Sequence, residues 1–312
     1  ELPKKQFKTL FHDGRVQVDL SRPSGLRTPL EEEMVEGFSS IISAQTMFPV
    51  LSADEMAGHY SENEISEAVR RGTLTGEGGA WDLISKRVGS VPAYSDFFID
   101  IYDHIEVAKD IKFTDISNAV AAFMEFEWRS DTSPFDDFLQ GKINLNTSQE
   151  NGMELFYGKA NCSSCHAGAL FTDHQFHATG QPQVGPGKAA RFQSHSRDLG
   201  RFRVTGNIKD KYAFRTPSLR NVELTGPWGH AGAYNELEAF LGAHIDPYLA
   251  LSNYDKSNVT LTKYDTNDWK IMDDASEVKA IADAISIKPV IISEGEVTDL
   301  LAFLGTLTDT KA

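Results

Sequence analysis

The chain has 312 residues, 40% of them hydrophobic and 24% charged, which suits one large or two ordinary folded domains with a core that needs no disulfide staples. The formal net charge of −15 argues against nucleic acid or an anionic membrane surface as the main partner. It fits a cationic partner, or simply a soluble exported chain. No apolar run reaches the ~18 residues of a membrane helix.

The chain opens on Glu1-Leu2-Pro3 without a visible export signal, as expected of a mature chain whose signal has been removed. Residues 1–30 read as loop, punctuated by Gly14, Pro23, Gly25 and Pro29. Residues 31–50 read as helical, with a turn at Pro49. A helix is expected over 62–71, before the glycines 72, 76, 78 and 79, and another over 80–89. Asp115–Trp128 reads as a helix with Ile116, Val120 and Phe123 on one face. Residues 130–146 read as a linker containing Pro134 and Gly141. Thr147-Ser148-Gln149-Glu150 then has the form of a capping box, with Thr147 as N-cap, and Met153, Phe156 and Ala160 follow at helical spacing. Ser293-Glu294-Gly295-Glu296 repeats the device ahead of an apolar stripe of Val297, Leu300, Leu301 and Leu304. Strand signals are weak, so the expected class is mainly α, with cytochrome c-like haem domains and long loops.

The two cysteines stand three positions apart in Cys162-Ser163-Ser164-Cys165-His166. This is the Cys-x-x-Cys-His signature of covalent haem c. Two thiols add across the two vinyl groups of one porphyrin, and the adjacent histidine reaches the iron. A structural zinc site would want a second ligand pair, and no other cysteine exists. A thioredoxin-like dithiol would follow a strand in a βαβ unit, which the pattern lacks. Haem c implies redox work in an exported, periplasm-like compartment. Spacing leaves the iron's sixth position open among His174, His177, His195, His230, His244 and Met272.

Several segments together resemble the bacterial di-haem cytochrome c peroxidase family, which includes the MauG-type enzymes. Ser133-Pro134-Phe135-Asp136-Asp137-Phe138-Leu139 is similar to the family's inter-domain connection. Phe214-Arg215-Thr216-Pro217-Ser218-Leu219-Arg220-Asn221-Val222 and Leu224-Thr225-Gly226-Pro227-Trp228-Gly229-His230-Ala231-Gly232 are similar to two of its signature segments. The family places a distal haem ligand fourteen residues beyond the last of these histidines, which implies His166/His244 ligation here. Histidine in place of the frequent methionine lowers the reduction potential. The resemblance also implies a calcium ion on backbone oxygens of Thr225 and Pro227, with its asparagine ligand falling upstream of residue 1.

The first half resembles the family's peroxide pocket. Phe11-His12-Asp13-Gly14-Arg15 is similar to Phe-Trp-Asp-Gly-Arg, with His12 where tryptophan usually stands. Gln45, Pro49 and Glu55 match the pocket's spacing, which implies Glu55 as general base then acid, on a partly buried carboxylate, with Gln45 hydrogen-bonding the bound oxygen species. The first haem's own Cys-x-x-Cys-His is not among these residues. The implied organisation is therefore 1–129 as the remainder of an N-terminal peroxidase-type haem domain, 130–146 as linker, and 147–312 as a C-terminal cytochrome c-like domain. A missing segment or a companion chain would carry the first haem.

Three functions follow as expectations. The first is a periplasmic di-haem peroxidase that reduces hydrogen peroxide with electrons from a small cytochrome or cupredoxin. The second is a MauG-like oxidase acting on a partner protein, which His12 and the non-methionine ligand favour. The third is a mono-haem electron carrier without turnover.

Overall fold

The computed structural model describes residues 7–53, 55–186 and 195–310; the readings made for residues 1–6 lie outside them. Helices and short turns dominate, so the protein is mainly α and cytochrome c-like. It divides into two compact units. The described residues of one fall in 7–10 and 15–129; those of the other fall in 11–14 and 130–310.

The first unit opens on three antiparallel strands, β1 (Thr9–Leu10), β2 (Val16–Val18) and β3 (Leu26–Arg27). Val18 pairs with Leu26 and Leu10 with Val16. This corrects the loop reading of 1–30: strands of two or three residues are too short to produce an alternating pattern. The helical reading of 31–50 also narrows, to α1 (Ile41–Gln45) between two single 3₁₀ turns. Three adjacent glutamates, Glu31–Glu33, repel along one such turn. Ser40 then starts α1 by accepting a hydrogen bond from the Ser43 N–H at 3.2 Å.

Helices α2 (Glu64–Arg71), α3 (Ala80–Gly89), α4 (Pro92–Ile101) and α5 (Phe113–Glu127) complete the unit. Asn63 caps α2 with both halves of a capping box, and Gly72 ends it at φ +75°. The core is aromatic. Trp81 stacks on Phe113 at 4.9 Å, and Phe38 meets both edge-on. The apolar stripe read on α5 is not its buried face. Val120 and Phe123 are exposed, whereas Ser117 and Ala121 are buried. Small residues allow close approach to α1, where the Thr46 and Ser117 hydroxyls lie 2.7 Å apart and Ser43 Oγ donates to Asn118 Oδ1 at 2.6 Å.

The second unit contains α6 (Pro134–Leu139) within the stretch read as linker, then α7 (Thr147–Tyr157). The N-cap of α7 is Asn146, with Gln149 closing the box, one residue earlier than expected. Asn caps as well as Thr, so two overlapping boxes compete. The remaining elements are β4 (Phe176–His177), α8 (Phe202–Thr205), β5 (Phe214–Arg215), α9 (Leu237–Ile245), α10 (Pro247–Ser252), α11 (Ala275–Ala284) and α12 (Glu294–Gly305). Ser293 caps α12 in the expected box with Glu296. Helices α7 and α12 cross at Gly152, where a Cβ would overlap the Asp299 carbonyl oxygen. Around that crossing lies the core of the unit: Phe135, Phe156, Phe171, Leu300, Phe303 and Leu304.

Candidate redox-cofactor site

Helix α7 delivers the chain to the cysteine pair. After it, Asn161 takes a left-handed conformation (φ +56°) and Cys162–Ser164 form one 3₁₀ turn. The His166 N–H donates to the Cys162 carbonyl at 2.9 Å and the Asp173 N–H to the Cys165 carbonyl at 2.8 Å. Both cysteines are free thiols, and burial pushes the Cys162 thiol up to about 11.

His166 is held by a single directed bond. Its Nδ1 lies 3.0 Å from the Phe171 carbonyl oxygen. A carbonyl only accepts, so Nδ1 carries the proton and Nε2 keeps a lone pair for a Lewis acid. Phe171 is fixed in turn by burial of its ring against Phe135 and Phe156. Burial, with a smaller contribution from His244, lowers the pKa of His166 to about 4. His244, in the last turn of α9, repeats the arrangement. Its Nδ1 donates to the Phe240 carbonyl at 3.1 Å, and the Phe240 ring stands edge-on to it at 4.6 Å. Burial lowers its pKa as well. Two buried imidazoles, with His244 close enough to disfavour protonation of His166, therefore each offer a bare Nε2.

The other candidates for the sixth position stand elsewhere or are engaged. His177 Nε2 lies 2.8 Å from Asp173 Oδ2. Cys165 and Asp173 hold its pKa up at about 9, and ligating atoms of the three residues lie within 4.8 Å of one another. Met272 packs against the Tyr212, Leu251, Ile271 and Ile281 cluster. His230 stacks on Phe214 with centroids 3.7 Å apart and lies 6.3 Å from the His12 ring. His195 is half-buried, and His174 sits at φ +56° beside Asp173.

The donor set fits covalent haem c. It supplies two thiols at the attachment spacing, an adjacent imidazole of fixed tautomer, a second such imidazole, and buried polar atoms at His230 and Gln181 that no protein group satisfies. Sequence reasoning missed Asp173, Asp198 and Gln181. Only the i,i+4 spacing of Asp173 and His177 was available as a signal.

His12 belongs to the same unit, and its Nε2 lies 2.9 Å from Asp198 Oδ2. Burial would raise the Asp198 carboxyl, but His12 outweighs it and holds the group well below the usual range. Thr225 and Pro227 flank a cis Gly226–Pro227 bond, both exposed, and the Thr225 hydroxyl donates to the Val222 carbonyl at 3.3 Å. In the other unit, Gln45 ends α1, Pro49 opens a 3₁₀ turn, and the Met56 N–H donates to the Pro49 carbonyl at 3.2 Å. The three pocket residues thus share one tight connection, but Glu55 is exposed rather than partly buried.

Residues 3–144 match a family model described as di-haem cytochrome c peroxidase. The chain is similar to cytochrome-c peroxidase IdrP1 of Pseudomonas sp. strain SCT, 31% identical over 222 residues, covering 63% of this chain and 57% of that protein. It is also similar to the methylamine utilization protein MauG of Methylorubrum extorquens, 28% identical over 275 residues, covering 87% of this chain and 59% of the relative. It therefore spans a little over half the length of these relatives. Among solved structures, a MauG-like protein associated with microbial copper homeostasis superposes with a TM-score of 0.59 at 26% identity, covering 86% of this chain and 69% of the other. The diheme peroxidase BthA of Burkholderia thailandensis shares the fold at 17% identity, with a TM-score of 0.58 over 97% of this chain and 66% of its own.

Proposed function

The chain belongs to the bacterial di-haem cytochrome c peroxidase and MauG family, and from that premise we propose that it is the electron-relay part of a periplasmic c-type peroxidase. Cys162 and Cys165 hold one haem c by thioether bonds, and His166 and His244 ligate its iron. The observation that carries this reading is the pair of buried imidazoles whose Nδ1 protons are both tied to backbone carbonyls. When bound, haem c supplies one-electron chemistry that no side chain provides. With both His166 and His244 holding the iron, no position would remain there for peroxide, which would suit electron storage and relay.

Peroxide reduction consumes two electrons and two protons and yields two waters. The electrons come from a small redox protein, a cytochrome or cupredoxin, and the chain's net charge of −15 steers a cationic one. Glu55 moves the proton between peroxide oxygens, base first and acid second, in the pocket formed with Gln45 and Pro49. Its exposed position requires that the segment or companion chain carrying the first haem cover it. Carbonyl oxygens of Thr225 and Pro227 contribute to a calcium site, a hard cation on hard donors.

A second reading is a MauG-like oxidase that modifies a partner protein. It draws on His12 in the tryptophan position and on His244 in place of methionine.

The test counts haems by pyridine haemochrome in the intact native protein, then follows oxidation of a reduced, basic small cytochrome by hydrogen peroxide. We expect two haems per functional unit, counting any companion chain. We also expect turnover that falls about 10²- to 10⁴-fold in Glu55→Gln. Peroxide consumption only in the presence of a partner protein selects the MauG-like reading. One haem and no turnover leaves an electron carrier and refutes both enzymatic readings.

A further inference from the structure

Four aromatic rings in sequence lead away from the His244 imidazole, all within the second unit. Phe240 stands one turn before His244 on α9, its ring 4.6 Å from the imidazole. Tyr234 lies 5.6 Å beyond Phe240, Tyr254 5.5 Å beyond Tyr234, and Trp269 6.2 Å beyond Tyr254, centroid to centroid. Each step is within the ~4.5–7 Å reach of paired aromatic rings. The line starts in the interior, with Tyr234 3% exposed, and ends at half-buried Trp269. Local bonds fix it. Tyr234 and Trp228 exchange two backbone hydrogen bonds, at 2.8 and 3.2 Å, and the Tyr254 hydroxyl donates to the Ala233 carbonyl at 2.6 Å. The core around α7 and α12 uses none of the four rings.

The order of ring types suits electron movement. Tyrosine and tryptophan can each yield an electron, whereas phenylalanine only narrows the gap to the imidazole. Tunnelling weakens steeply with distance, so several short steps outrun one long one. An oxidised tyrosine persists only where its proton has somewhere to go. The Tyr254 hydroxyl points at a carbonyl, which takes a hydrogen bond but not a proton. Burial pushes the pKa of Tyr254 up to about 12 and raises that of Tyr234 as well. Both tyrosines therefore pass an electron on without staying oxidised. Trp269 differs. Its indole reaches solvent, so the N–H proton can leave to water, and the Lys256 ammonium 5.1 Å from the ring centroid disfavours a positive charge remaining there.

We propose that Phe240, Tyr234, Tyr254 and Trp269 form a path that draws oxidising equivalents away from the haem at His166 and His244 and discharges them at the surface on Trp269. The assignment rests on the haem and peroxide reading above. Hydrogen peroxide takes up two electrons and two protons to become two waters. With no reduced donor protein at hand, the protein itself is left short of two electrons. One deficit moves outward. Trp269 gives up an electron, which travels by way of Tyr254 and Tyr234 and across Phe240 to the His244 side, and the indole N–H proton goes to water. The other deficit stays with the haems. The path thereby spares the cofactor when peroxide outruns its electron supply.

The experiment mixes the intact native protein, together with any companion chain, with hydrogen peroxide in the absence of a donor, freezes it and records the electron paramagnetic resonance spectrum. The expected result is a neutral tryptophan radical, whose hyperfine structure narrows in protein made with ring-deuterated tryptophan. That signal is lost in Trp269→Phe and several-fold weaker in Tyr254→Phe, while the haem absorption of both variants still responds to peroxide. A radical unchanged in Trp269→Phe, an undiminished one in Tyr254→Phe, or no protein radical in the wild type overturns the path. Should a variant fail to mature, peptide mapping of peroxide-treated wild type decides instead. Oxygen added to Trp269 in the tryptic peptide 264–270 supports the path, and an unmodified Trp269 after repeated peroxide doses overturns it. Wild-type protein whose haem is absent or unmoved by peroxide refutes the underlying reading as well, an outcome distinct from a haem that responds without forming a radical.

Discussion

Replacing Asp136 by asparagine should cost about 3 kcal/mol of stability, a loss that reaches the stretch holding His166. Asp136 and Arg220 form a bidentate pair at 2.8 and 2.9 Å, with side chains 16% and 9% exposed. Burial alone would raise the Asp136 carboxyl, but hydrogen bonds from Arg220 and Ser133 outweigh it and hold the pKa at about 2, against 3.8 unperturbed. That difference corresponds to about 2 kcal/mol of stabilisation by the ionised form. The Asp136→Asn substitution would also leave a buried guanidinium without its counter-ion, which sets the total near the ~3–5 kcal/mol of broken buried pairs. The lower end applies because Arg220 keeps its bond to the Ala169 carbonyl at 2.7 Å and its place over the Phe171 ring.

The sign with pH follows from the depressed pKa. The contribution is complete above the unfolded value near 4 and is lost as pH falls through about 2. Urea unfolding of the holoprotein, followed by circular dichroism between pH 7 and pH 2, should show wild type losing about 2 kcal/mol more than Asp136→Asn over the acid limb. Since Arg220 braces the stretch 169–171 and Phe171 holds His166, the variant's haem spectrum should begin to change at lower urea than its helical signal. Equal midpoints at pH 7, or parallel acid limbs, would refute the reasoning. Adding Arg220→Met to Asp136→Asn should recover part of the loss, because the orphaned charge goes with it.

Two further substitutions probe the frame and the iron. Gly152→Ala gains at most ~1 kcal/mol of helix propensity, but its Cβ would overlap the Asp299 carbonyl and come within 2.8 Å of Phe303 Cβ. A backbone oxygen cannot rotate aside, so overpacking at ~1–3 kcal/mol wins and the denaturation midpoint should fall. His244→Met should raise the midpoint potential of the haem by on the order of 0.1 V or more, within the ~0.8 V that axial ligands span. An unchanged potential would mean that His244 does not ligate.

What the sequence disclosed depended on whether the signal was local. The Ser293 cap is complete within four residues and stands where it was read; the Cys-x-x-Cys-His run is complete within five, and the chain folds its Cys162–Ser164 stretch into one 3₁₀ turn. The α7 cap slipped by one residue because Asn146 and Thr147 each head a legitimate box. Helix α5 was located well but turned the wrong way: apolar periodicity marks Val120 and Phe123, while the face that packs is the small one, Ser117 and Ala121. The pairs His12–Asp198 and Arg220–Asp136 join side chains 186 and 84 positions apart, which no window of a single chain reveals. The resemblance singled out His244 where spacing alone left six candidates, and the fixed tautomer of its ring is visible only in three dimensions.

The most direct test digests the mature protein with trypsin and weighs the peptide of residues 160–188, which contains both cysteines. The account predicts that this peptide carries the mass of one haem and that neither Cys162 nor Cys165 reacts with an alkylating agent. A peptide of bare mass, with both thiols open to alkylation, would contradict it.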